Sequence, residues 1–181
     1  GHPFARQLAF VVAVMLLGAV VDLPIGWYRQ FRLEQRFGFN RMTLRLWLAD
    51  LAKGTAVTAL LGLPLLAAVL WLMQRAGVNW WLWAWLVWVG FNLTVLVLYP
   101  TVIAPMFNRF EPLADGPVRS RVEALLARCG FASKGLYVMD GSRRSAHGNA
   151  YFTGFGRAKR IVFFDTLLDK LDGDELEAVL A

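Results

Sequence analysis

Three apolar stretches set the limits on what this chain can fold into. They are "LAFVVAVMLLGAVVDLPIGWY" (residues 8–28), "LAKGTAVTALLGLPLLAAVLWLM" (51–73) and "WWLWAWLVWVGFNLTVLVLYP" (80–100). Each is about 20 residues long, which as a helix spans a hydrocarbon core roughly 30 Å thick. Lipid offers the backbone no hydrogen-bond partners, so a crossing segment that is not part of a barrel must be helical. The first stretch, with Arg6 ahead of its apolar core, has a second reading as a signal peptide. Its length, and the lack of a small-x-small cleavage site before the charged segment, favour a span. The sequence is that of a polytopic membrane protein.

Charge supplies the orientation. Between the first two spans lies "RQFRLEQRFGFNRMTLRLWLAD", with Arg29, Arg32, Arg36, Arg41 and Arg45 against Glu34 and Asp50; between the second and third there is only "QRAGVN" with Arg75. Three crossings put the Arg-rich loop at 29–49 and everything after Pro100 on the same side. The positive-inside rule makes that side the cytoplasm. The net charge of +6 is therefore read as a topology signal, and no nucleic-acid-binding motif accompanies it.

A few polar residues interrupt the spans. Asp22 is an intramembrane carboxylate and so a functional candidate, although its place near a span end, beside Pro24 and Trp27, has the simpler reading of ordinary hydration. Asn92 and Thr94 are expected to hydrogen-bond between helices. The few polar positions and the absence of a repeat argue against a transporter.

From Pro105 on, the pattern becomes that of a water-soluble segment. Asp115 is placed to cap a helix with Pro117 in its first turn, and Val118, Val122, Leu125, Leu126 and Cys129 recur with helical period until Gly130. Cys129, the only cysteine, is expected to be inert core packing on that helix. "GLYVM" (135–139), "AYFTGF" (150–155) and "RIVFF" (160–164) read as strands, with "DGSRRSAHGN" a polar loop and "GRAK" a turn. Asp165 and Thr166 open a short helical turn. A last helix then begins at Asp172, with Glu175 closing a capping box and Leu176, Val179 and Leu180 forming its apolar stripe. The fold class is a mainly α membrane protein, three transmembrane helices followed by a small α+β segment.

No complete catalytic constellation is visible. Asp140, Ser142, Ser145 and His147 include the residue types of a nucleophilic triad, but they crowd one loop and no nucleophile elbow is present. Excluding His2, His147 is the only histidine, and the acids show no metal-ligand spacing.

Taken together, "LEQRFGFNRMT", "YPTVIAPMFNRFEPL", "DGSRRSAHGNAYFTGFG", "KRIVFFDTLL" and "DELEAVLA" resemble the integral-membrane zinc metallopeptidases of the Ste24 type, the CAAX prenyl protease 1 family within peptidase family M48. The resemblance covers most of the chain and implies that residues 105–181 begin a zincin-like peptidase domain, cytoplasmic, after a transmembrane region at 1–104. In that family the helix corresponding to "DELEAVLA" runs into H-E-x-x-H, whose two His bind zinc while the Glu acts as general base on metal-bound water. The resemblance therefore implies zinc for a longer parent protein, but no metal ligand and no catalytic residue within these residues, and an inactive fragment. It also implies membrane lipid and a peptide or protein substrate as partners, prenylated C-terminal peptides among them. Asn149, Ala150, Tyr151 and Phe152 resemble the edge strand to which an extended substrate adds. As ordinary residues, Tyr151 and Phe152 read equally well as hairpin core. Against the peptidase stands a degenerate homologue acting as a membrane scaffold, and the residues that follow Ala181 in the gene distinguish the two.

Overall fold

The computed structural model describes residues 3–130, 135–154, 159–171, 175 and 178. It comprises two compact units, Gly1–Phe37 with Leu44–Leu96, and Gly38–Thr43 with Val97–Ala181.

The first unit is helical. Helix α1 (Pro3–Tyr28) continues through a π-helical turn, Arg29–Leu33, into α2 (Glu34–Arg36); α3 (Leu44–Arg75) and most of α4 (Trp80–Leu98) follow. The helical runs Pro3–Arg36, Leu44–Arg75 and Gly77–Phe107 are each long and apolar enough to cross a membrane. None of the residues of α1, α3 or α4 is buried within the protein, and Phe10 and Leu60 are 70% and 74% exposed. In water such apolar surface is unfavourable by about 25 cal/mol per Å²; against lipid tails that penalty vanishes.

Contacts at both ends set α1 and α3 antiparallel. Gln74 Nε2 donates to Gln7 Oε1 at 2.7 Å; at the other end the Phe31 ring lies 6.1 Å from Trp27 and 6.2 Å from Trp47. The expectation for Asn92 and Thr94 is corrected: Asn92 donates to the Trp88 carbonyl and Thr94 to the Gly90 carbonyl, both at 2.8 Å and both within α4. A short polar side chain in an apolar helix finds the carbonyl one turn back before it finds a neighbouring helix.

In the second unit, a π-helical turn (Tyr99–Ile103) and α5 (Ala104–Phe107) lead into β1 (Phe110–Pro112), α6 (Pro117–Arg128), β2 (Gly135–Met139), β3 (Ala150–Thr153), β4 (Arg160–Phe164) and α7 (Asp165–Leu168). The strands form one mixed sheet in the order β1-β2-β4-β3. β2 and β4 run parallel, and the other two pairings are antiparallel. Ile161, Val162 and Phe163 are each at most 2% exposed, so β4 is covered on both faces, as its unbroken apolar sequence requires. On one face Ile161 and Phe163 join Val122, Leu136, Leu113 and Leu167 in the core. On the other, Val162 lies with Tyr99, Ala104 and Phe110 around a cavity of about 50 Å³.

Three expectations change here. The strand β1 was not anticipated, because three residues ending in proline carry no period; its pairing with β2 defines it. Asp115 does not cap α6, whose N-cap is Gly116 with no side-chain bond; its carboxylate instead accepts from Arg119 at 2.8 Å, one turn on. Cys129 is exposed at the C-cap of α6, although its N–H still bonds back to the Leu125 carbonyl at 3.0 Å. Glu175 and Ala178 are helical. The "GRAK" turn up to Lys159, the Asp172 cap and the stripe of Leu176, Val179 and Leu180 lie outside the described residues.

Candidate functional site

The site grows from the loop between β2 and β3. Asp140 anchors its start, where Oδ1 accepts the Arg109 backbone N–H at 2.7 Å and Oδ2 pairs with Arg143 at 3.0 Å. Gly141 is buried against Phe164, and a Cβ there would stand 2.6 Å from the ring; only glycine passes without moving that side chain. Ser142 then meets Asp165 at the start of α7. Its N–H donates to Oδ1 at 2.8 Å, its hydroxyl donates to Oδ2, and the same Oδ1 takes the Thr166 N–H. One carboxylate thus satisfies the loop and the first turn of α7 together.

Arg144 fixes the next turn. Its guanidinium donates to Asn108 Oδ1 and to the Phe107 carbonyl, each at 2.7 Å. Residues 39–41 pair with the same stretch. Arg41 N–H donates to the Arg144 carbonyl at 3.1 Å and Ala146 N–H to the Phe39 carbonyl at 2.9 Å, making Asn40 and Ser145 an antiparallel bridge. The Phe39 ring stacks on His147 at 4.0 Å. Beyond it, the His147 carbonyl accepts from Thr166 Oγ1 at 2.7 Å, and Gly148 lies so close to Leu167 that a Cβ would be 3.2 Å from its Cα.

No triad forms in this loop. Ser142 is bound to Asp165, Asp140 to Arg143 and the Arg109 N–H, and His147 is stacked on Phe39, while Ser145 Oγ accepts the backbone N–H of His147 at 3.2 Å. The side chains form loop architecture, not a nucleophile with its base.

The four residues singled out in the sequence occupy the entry and body of β3. Asn149 stands at the entry: its carbonyl accepts the Phe164 N–H and its Oδ1 the Ala150 N–H, both at 2.9 Å. Ala150 faces Phe163 in the register, and Phe152 faces Ile161. The bond from Phe164 N–H to the Asn149 carbonyl flanks the Ala150–Phe163 pair, which marks that pair as the non-hydrogen-bonded kind. By alternation Tyr151 and Thr153 bond to β4, while the peptide groups of Ala150 and Phe152 point away from it. Among the described residues, β3 ends the sheet. The side chains divide in the same way. Ala150 packs on the core, Phe152 is 55% exposed, and Tyr151 turns to the opposite face. There Tyr151 lines the small cavity, with its hydroxyl 3.9 Å from the Met139 sulfur and its ring edge-on to Phe164. Burial raises its pKa above the usual tyrosine value.

A family model described as the CAAX prenyl protease N-terminal region, with five membrane helices, matches residues 1–109, and the model of peptidase family M48 matches residues 112–181. The chain belongs to peptidase family M48. It is 40% identical to the CAAX prenyl protease 1 homolog of Arabidopsis thaliana over 97% of this chain and 42% of that protein. It is 39% identical to CAAX prenyl protease 1 of Saccharomyces cerevisiae over 98% of this chain and 39% of the yeast protein. A crystal structure of Ste24p from S. mikatae superposes with a TM-score of 0.91 at 36% identity, over 99% of this chain and 42% of the other. The chain thus spans about two fifths of the length of these relatives. Within this M48 chain, sequence reasoning found β3 and its preceding loop but missed the partner that braces the loop, residues 39–41. The only signal for it was the "FGFNRMT" motif in the resemblance.

Proposed function

We propose that this chain is the N-terminal part of a membrane-embedded zinc metalloendopeptidase, and that Asn149, Ala150, Tyr151 and Phe152 form the strand along which an extended peptide substrate lies. The observation that carries the reading is the register of β3, which turns the peptide groups of Ala150 and Phe152 away from β4. A peptide in extended form adds to such an edge by main-chain hydrogen bonds, largely irrespective of its side chains. The substrates proposed for the full-length protein are peptides presented at the cytoplasmic membrane face, including C-terminally prenylated ones.

Among the described residues no three His, Cys, Asp or Glu side chains come together in a way that could hold a metal ion. In the proposed parent, the helix containing Glu175 and Ala178 leads to H-E-x-x-H, which binds zinc and supplies the general base. The chemistry is tested on the full-length protein. Chelation by phenanthroline is expected to abolish peptide cleavage and one equivalent of zinc to restore it, while the 181-residue chain stays inactive with or without zinc. Undiminished cleavage by the metal-free parent would sink the metallopeptidase reading.

Orientation has its own test. Arg36→Cys and Arg75→Cys, each in a Cys129→Ser background, are expected to react with an impermeant maleimide from opposite sides of the membrane, Arg36→Cys from the cytoplasmic side. Labelling of both from one side would refute the three-span arrangement.

A further inference from the structure

We infer that residues 39–41 are a splint for the proposed substrate strand, and that Phe39 and Arg144 are positioning residues for it. This rests on the edge-strand reading above. The geometry runs in one unbroken line. The Phe39 ring covers His147 at 4.0 Å, and two backbone bonds flank the Asn40–Ser145 bridge. Arg144, whose carbonyl takes one of those bonds, is itself held by the Phe107 carbonyl and Asn108. His147 is three residues ahead of Ala150, and the segment between is gripped on the other side by Thr166, Leu167 and Phe164.

The entry to β3 is therefore clamped from two directions. β4 and α7 fix it on one side, with the Phe39–Arg41 segment bracing the loop from the other. A strand that aligns a substrate through its backbone must be placed to a fraction of an ångström, because it has no side-chain chemistry to compensate for displacement. Loops hold such positions poorly unless a second segment ties them down. Residues 39–41 belong by sequence to the stretch between the first two spans, yet they are part of the same compact unit as the sheet. That placement follows if their task is to brace the site.

The test uses the full-length protein in a Cys129→Ser background. The bonds from Arg41 N–H to the Arg144 carbonyl and from Ala146 N–H to the Phe39 carbonyl make Asn40 and Ser145 a non-hydrogen-bonded antiparallel pair. The Cα atoms of such a pair lie about 4.5 Å apart, within the roughly 4.4–6.8 Å a disulfide accepts. Asn40→Cys with Ser145→Cys is expected to cross-link on mild oxidation, seen by peptide mass. Phe39→Ala is expected to raise KM for an extended peptide about tenfold with kcat changed less than about threefold. It should also speed deuterium exchange over residues 148–153 while bound zinc and the melting profile hold. Phe39→Tyr should restore KM, and so should the oxidised cysteine pair placed in the Phe39→Ala protein. A loss of kcat in step with folded fraction at unchanged KM would mark a merely structural role and overturn the inference. Unchanged exchange, or failure to cross-link, would overturn the splint itself without reference to activity. A wild-type protein that cleaves no peptide would instead remove the reading beneath it.

Discussion

Ala150→Pro in the full-length protein is expected to cut turnover of an extended peptide by about tenfold or more, with zinc content and melting profile retained. The register explains why this proline is tolerated by the fold. Ala150 sits in a non-hydrogen-bonded pair with Phe163, so its N–H takes no part in the β3–β4 ladder. Its partner in this structure is the side chain of Asn149, which a bound peptide would displace. Proline deletes that outward donor and leaves the bonds of Tyr151 and Thr153 to β4 in place. Tyr151→Pro provides the contrast. It removes a ladder bond to Val162, so it should lower the melting temperature as well as activity. Full activity from a correctly folded Ala150→Pro protein would remove Ala150, and with it the edge-strand assignment, from the substrate site.

What was legible in the sequence divides by how local the cause is. The membrane helices are set by composition over about 20 residues, a property of each segment alone. β2 and β4 could be read because β-branched and aromatic residues bounded by polar loops specify a buried strand locally. The features that were missed depend on distant partners. β1 exists because Phe110 and Glu111 meet Met139 and Val138, and nothing in "RFEPL" announces the partner. The same holds for the Asn40–Ser145 bridge and for Arg144, whose acceptors Phe107 and Asn108 precede it by two strands and a helix. Cys129 shows a different failure. Its spacing continues the α6 stripe and its N–H still bonds to the Leu125 carbonyl, yet it is exposed, because whether anything covers the last turn of a helix is set by distant packing that periodicity does not report. At the candidate site, β3 was legible as a strand from "AYFTGF" itself, and the resemblance suggested its proposed edge role. Which of its residues turn their peptide groups outward was not, because that parity is set by the pairing register, and a shift of one residue inverts it.

Two phenylalanines make the same point energetically. Phe163→Ala is expected to destabilise the second unit by about 3–5 kcal/mol, the range for emptying a well-packed aromatic site. Phe152→Ala should cost about 1 kcal/mol or less. By sequence both are aromatic residues in short strands of the same hairpin, and composition cannot rank them. The structure does: Phe163 is 0% exposed and Phe152 is 55% exposed. Phe163 lies in β4, covered by α6 on its own face and flanked by β2 and β3, so its removal leaves a cavity that neighbours on three sides cannot close. Phe152 lies at the outer strand, where its loss mainly changes surface. The measurement is unfolding of each variant in detergent, followed by deuterium exchange at the β4 amides, which separates loss of the sheet from loss of the membrane helices. Exchange in β4 should accelerate by orders of magnitude for Phe163→Ala and stay near wild type for Phe152→Ala. Equal acceleration in the two would mean that β3 is as deeply packed as β4. Phe152 would then belong to the core, while the outward turn of its peptide group, which is set by the pairing register, would stand.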